Sequence, residues 1–146
     1  GCGFHLAGYG DYSSSLDKTS VQSVVSSHEL VRLIENNLKS SKINIVEIDQ
    51  ATAIVNILHE ETEKVVLTLD SDGKAREYEL ILKVTFEVRG HDNNYFLKDQ
   101  NISLSRDFVF EKGDILGTNE EEQQLFGEMR NDVAKLIVYR LQTIDE

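Results

Sequence analysis

From Tyr78 the chain alternates with period two. Tyr78, Leu80, Leu82, Val84, Phe86 and Val88 are apolar, Glu79, Lys83, Thr85, Glu87 and Arg89 are polar, and Ile81 alone breaks the pattern. Successive strand side chains point to opposite faces, so this run predicts a long strand with one buried and one solvated face. An apolar sheet face of that length has to be covered by a second layer.

The flanking sequence supplies its neighbours. Residues 54–69 are β-rich and lead into Asp70-Ser71-Asp72-Gly73, whose glycine takes the positive φ of a tight turn, so the two runs form a hairpin. A second turn cluster, Gly90-His91-Asp92-Asn93-Asn94, precedes renewed alternation through Ile102, Leu104, Phe108 and Phe110. The result is a three-stranded antiparallel meander. Arg106 interrupts that last apolar face. Either a bulge turns it outward, or its stem packs and its head finds a partner at the sheet edge.

Two segments carry the helical period. Ser26 and Glu29 have the spacing of a capping box, followed by Leu30, Leu33 or Ile34, and Leu38 on one side. Near the end, Thr118 or Asn119 is the expected cap. Glu120, Glu121 and Glu122 then lie at the positive end of the helix dipole, ahead of a stripe through Leu125 or Phe126, Met129, Val133, Leu136 or Ile137, Leu141 and Ile144. Val21, Val24 and Val25 mark a short strand near residues 18–25, and 43–48 is a candidate for another. The expected fold is therefore α+β: two helices packed on one face of a mainly antiparallel (mixed) four-stranded sheet, order β-α-β-β-β-α. Residues 7–20 are rich in Gly, Ser and Tyr, so 1–17 read as a leader or tether and 18–146 as a single domain.

Chemistry is sparse. No G-x-S-x-G occurs, and His5, His28, His59 and His91 lack the spacing of a metal site, so neither a catalytic residue nor a metal ligand is assigned. Thr68, Asp70, Asp72, Gly73 and Glu79 match positions of a calcium-loop template. Lys74 and Arg76 sit within it and strands flank it, so a hairpin turn explains the same residues. With 26 acidic residues against 15 basic and a net charge of -11, nucleic acid is excluded as a partner. Lys64, Lys74 and Arg76 cluster along the first hairpin, where they either meet an anion or sit as ordinary solvated cations.

The single cysteine, Cys2, has no partner for an internal bridge and stands in Gly1-Cys2-Gly3. That is either the junction at which a bacterial lipoprotein signal peptide ends or a free thiol beside a cloning remnant. Cys2-Gly3-Phe4-His5-Leu6, the run from Asp72 through Lys74, Arg76 and Tyr78 to Leu80, Ser105-Arg106-Asp107-Phe108, and the helix from Glu128 through Asn131 and Val133 to Leu141 follow one another in an order that resembles the LptE (RlpB) lipopolysaccharide-assembly lipoprotein family. The resemblance implies a lipid on Cys2, with no cofactor beyond that covalent lipid, and a location on the periplasmic side of the outer membrane of a Gram-negative bacterium. It further implies a non-enzymatic subunit that plugs and helps assemble the LptD β-barrel and aids delivery of lipopolysaccharide to the cell surface. The alternative function is a free-standing periplasm-facing lipoprotein that binds a small amphiphile between helices and sheet.

Overall fold

The computed structural model describes residues 12–110, 113 and 115–145, with side chains in the last helix described from Gly117 on. After a short 3-10 turn, Ser14–Leu16, come strand β1 (Lys18–Ser23), helix α1 (His28–Ser40) and strand β2 (Asn44–Ile45). A second 3-10 turn, Ile48–Gln50, leads to β3 (Ala53–Leu69), β4 (Ala75–Gly90), β5 (Tyr95–Val109) and helix α2 (Ile115–Leu141). The strands form one sheet in the order β2-β1-β3-β4-β5, with β1 parallel to both its neighbours and the other pairs antiparallel. The expected α+β architecture holds, with five strands instead of four. The extra one is the two-residue β2, which closes on β1 through Lys18 and Thr19.

The alternation of β4 becomes the floor of the core. Leu80, Leu82, Val84, Phe86 and Val88 are buried in one core with Leu30, Ile34 and Leu38 of α1, which lies over β1 and β2, and with Phe126, Met129, Val133, Ala134, Ile137, Val138 and Leu141 of α2, which lies over β4 and β5. Leu16 belongs to the same core, so packing begins ahead of β1. Of the alternatives in α2, Phe126 and Ile137 go inside, whereas Leu136 remains 40% exposed.

A shift of register between Ile57 and His59 in β3 changes what this face presents. Ala53, Val55 and Ile57 pair with Gly90, Val88 and Phe86 on the helix side, but beyond the shift the helix-side residues are Glu60, Thr62, Lys64 and Val66, opposite Val84, Leu82, Leu80 and Tyr78. One extra residue in a strand flips everything after it. The distal half of β3 therefore offers α2 charges, and α2 answers with them. Arg130 Nε donates to Glu60 Oε2 at 2.9 Å, and Lys64 Nζ lies 3.1 Å from Glu122 Oε2.

Helix boundaries depart from the sequence reading in two places. The Ser26–Glu29 capping box does not form: Ser27 is the N-cap, without a side-chain cap bond, and Glu29 reaches across to Arg130 Nη1 at 3.5 Å. A charged partner on the facing helix outcompetes a local amide. Helix α2 begins at Ile115, about one turn before the expected caps, and Thr118 is buried within it.

Helix α1 ends without a glycine. Lys42 adopts φ 65°, its amide donates to the Lys39 carbonyl at 3.0 Å, and the Ile43 amide donates to Leu38 at 3.1 Å. These are the paired bonds of a Schellman stop, with a lysine at the left-handed position. Replacing Lys42 with Gly relieves the Cβ strain and is expected to stabilise the fold by about 0.5–1 kcal/mol, read as a raised urea midpoint at constant slope.

Arg106 resolves in favour of its second reading. It lies opposite Leu80 in unbroken register on edge strand β5, with its head 3.3 Å from Asp132 Oδ2 of α2.

Candidate docking site on the long hairpin

The β3–β4 hairpin is 17 and 16 residues long on its two sides. At about 3.3 Å per residue it reaches roughly 55 Å. Its turn is held by local hydrogen bonds. Asp70 Oδ1 accepts from the amides of Asp72 at 2.8 Å and Lys74 at 3.0 Å, the Gly73 amide donates to the Asp70 carbonyl at 3.0 Å, and Gly73 has φ 77°. The Asp70 oxygen that a calcium loop would spend on the ion is committed to the turn. Among the described residues no group of three or more His, Cys, Asp and Glu converges as metal ligands.

The three hairpin cations meet different fates. Lys64, on the helix side, is held between Glu122 and the face of Tyr78, its ammonium 4.3 Å from the ring centroid. Lys74, in the turn, and Arg76, on β4, are exposed or nearly so, and neither side chain has a partner among the described residues. Beside them Val65, Val66, Leu67, Leu69 and Val109 are 44–62% exposed. The hairpin end thus combines two unengaged cations with aliphatic surface, a pairing suited to an amphiphile with an anionic head. Those aliphatic residues were missed as surface because strand residues of this type normally face a core.

The outer face carries further ion pairs. Lys83 donates to Glu63 Oε1 at 3.0 Å, and that hydrogen bond, with the charges of Glu63 and Glu61, raises the lysine pKa above its ordinary value despite some loss of hydration. His59 meets Glu61 at 3.3 Å on the same face. Thr68 Oγ1 donates to Glu77 Oε2 at 3.4 Å on the exposed hairpin, outside any enclosed cleft. Cys2 and His5 lie outside the described residues.

Surface clefts are shallow. One of about 350 Å³ lies between β1, α1 and the 45–50 segment, and one of about 310 Å³ between the ends of α1 and α2, lined by Tyr12, Val138 and Tyr139 among others. Between helices and sheet the space is filled by fully buried Leu30, Ile34, Leu38, Met129 and Phe86.

The class these features define is an α+β lipoprotein domain of the rare lipoprotein B kind, with no described helix long and apolar enough to cross a membrane. Rare lipoprotein B from Shewanella oneidensis superposes with a TM-score of 0.75 at 26% identity, covering 86% of this chain and 94% of that one. An uncharacterised lipoprotein B from Nitrosomonas europaea gives 0.74 at 24% identity, covering 96% and 88%. The LPS-assembly lipoprotein LptE of Photorhabdus laumondii is 27% identical over 146 residues, 99% of this chain and 79% of that protein. Residues 16–141 match the sequence profile of LptE, described as lipopolysaccharide-assembly, and the chain belongs to that family.

Proposed function

We propose that this protein is the non-enzymatic lipoprotein subunit of an outer-membrane lipopolysaccharide-assembly translocon. In that role it is anchored through a lipid on Cys2 on the periplasmic side, and it plugs and assists assembly of an LptD-type β-barrel. The observation that carries the reading is the family match across residues 16–141, which takes in the whole sheet and both helices. The surface supports it. A polar, charged domain of net charge -11 suits a barrel lumen, whose inward-facing residues are polar and wet. Filled space between helices and sheet weighs against the alternative of a small amphiphile held in an interior pocket.

Coexpression with the barrel tests the partnership: the two co-purify in stoichiometric amounts, and barrel assembly falls when this chain is withheld. A chain that stays monomeric beside a normally assembled barrel would sink the idea. Intact mass of the membrane-extracted protein should show a diacylglyceryl and an N-acyl group on Cys2, lost in Cys2→Ala together with membrane retention. One acyl chain anchors marginally, whereas several hold firmly.

Lys74 and Arg76 are the proposed contacts for lipopolysaccharide phosphates or acidic sugars, with Lys64 a lesser one because Glu122 already engages it. Lys74→Glu/Arg76→Glu should weaken binding of purified lipopolysaccharide by about tenfold or more, since each charge-assisted hydrogen bond contributes about 1.5–3 kcal/mol. Unchanged binding would remove these two residues from the reading.

A further inference from the structure

The two edges of β3 are used differently. One pairs with β4 along its length. The other pairs with β1 only over Ala53 to Ile57, and the Val24 amide closes that ladder on the Ile57 carbonyl at 3.0 Å. Past this point no described strand lies beside β3. Residues 59–66 nevertheless keep an unbroken register against β4, from His59 opposite Thr85 to Val66 opposite Tyr78. Eight residues in one register make a strand of ordinary length, and every second one turns its N–H and C=O outward.

The other long edge of the sheet, on β5, is blunted. Arg140 Nη2 donates to the Asn101 carbonyl at 3.1 Å and Arg106 Nη1 to the Ser105 carbonyl at 2.7 Å, while Asp99 at φ 52° breaks the pleat. Charged caps and kinks are how sheets discourage pairing at an edge. Residues 59–66 contain no proline, no glycine and no positive φ, and they end in Val65 and Val66, 44% and 48% exposed.

We infer that residues 59–66 of β3 are a docking edge for an extended segment of another protein, which adds to the sheet as a strand. The backbone defines the occupant's class, because a free row of amides and carbonyls is matched by another strand and not by a lipid chain. Charge defines it further. Glu60 is taken by Arg130 on the helix side, and on the outer face Glu61 and Glu63 share Lys83 and His59, so the face keeps an acidic excess and the incoming strand carries lysine or arginine opposite Glu61 and an aliphatic residue opposite Val65. A second copy suits this edge poorly, since self-pairing sets two acidic stretches and two chains of net charge -11 against each other.

The test is site-specific photocrosslinking of the full-length protein in its native membranes. Benzoylphenylalanine is placed at Glu61 and at Val65, which share the face opposite the helices, and at Ser103 and Ser105 of β5 as controls. The expected result is adducts from 61 and 65, but not from 103 and 105, mapping four residues apart in one segment of a different protein. Thr62→Lys/Val65→Lys, which places two charges on the edge, should cut the adduct from position 61 by about tenfold while the urea midpoint stays unchanged. Adducts to a second copy, to residues 1–11 of the same chain or to lipid overturn the inference, as do equal yields from the β5 positions or no adduct at all. The inference does not depend on which protein the partner is. A barrel that co-purifies without this four-residue spacing removes the docking edge and leaves the translocon reading standing.

Discussion

Replacing Phe86 with Ala is expected to lower the unfolding free energy by about 3–5 kcal/mol, measured by urea denaturation at unchanged slope. Phe86 is fully buried on β4, the strand with a long neighbour on each side, and pairs with Ile57 and Gln100. Truncation removes the apolar transfer energy of the ring and leaves a cavity between sheet and helices. Domains of this size have about 5–15 kcal/mol in total, so one side chain carries about a fifth or more of the margin. Phe86→Leu keeps most of the volume and should cost under about 1.5 kcal/mol. A loss below about 1 kcal/mol for the alanine variant would mean that the core collapses around the gap or that the ring is not packed as described.

Arg130→Ala is the second large effect, expected to cost about 2–4 kcal/mol. Arg130 is 20% exposed and ties Glu60 of β3, 13% exposed, to Glu29 of α1. The other oxygen of Glu60, Oε1, is buried without a hydrogen-bond partner, so removing the guanidinium strands a largely desolvated carboxylate. Glu60→Gln/Arg130→Met should restore much of the loss, because the penalty comes from the unpaired charge more than from absent attraction. A double variant no better than Arg130→Ala would place the cost in lost stem packing instead. Arg106–Asp132 has similar chemistry at 45% and 44% exposure, and its removal should cost no more than about 1 kcal/mol.

What could be read from the chain tracks how local each cause is. The alternation from Tyr78 to Val88 states its own structure, and the turn at Asp70 to Gly73 is made by side chains bonding amides two to four positions away. Hairpin, meander and both helices were legible for that reason. The register shift after Ile57 was not, because nothing in Ile57-Leu58-His59 distinguishes a shifted strand from a straight one. Its consequence, the turning of Glu60 and Lys64 toward α2, depends on partners that lie 70 and 58 positions away. Glu29 failed as a cap for the same cause: its best partner belongs to another helix. At the hairpin end, Lys74 and Arg76 were visible as a cluster. That they are unengaged while Lys64 is taken follows only from where α2 sets Glu122.

The parallel placement of β1 gives the topology an order in time. Each strand of the meander finds its neighbour across a turn of a few residues, whereas β1, synthesised first, must wait for β3. Lys18 and Thr52, which meet where that pairing starts, are 34 positions apart. Short closures are made before long ones, so the hairpins are expected to form early, with β1, and β2 beyond it, seated after them. Until it arrives, the whole length of β3 stands open on that side. The strand earliest in the sequence is thus the one on which completion of the sheet waits.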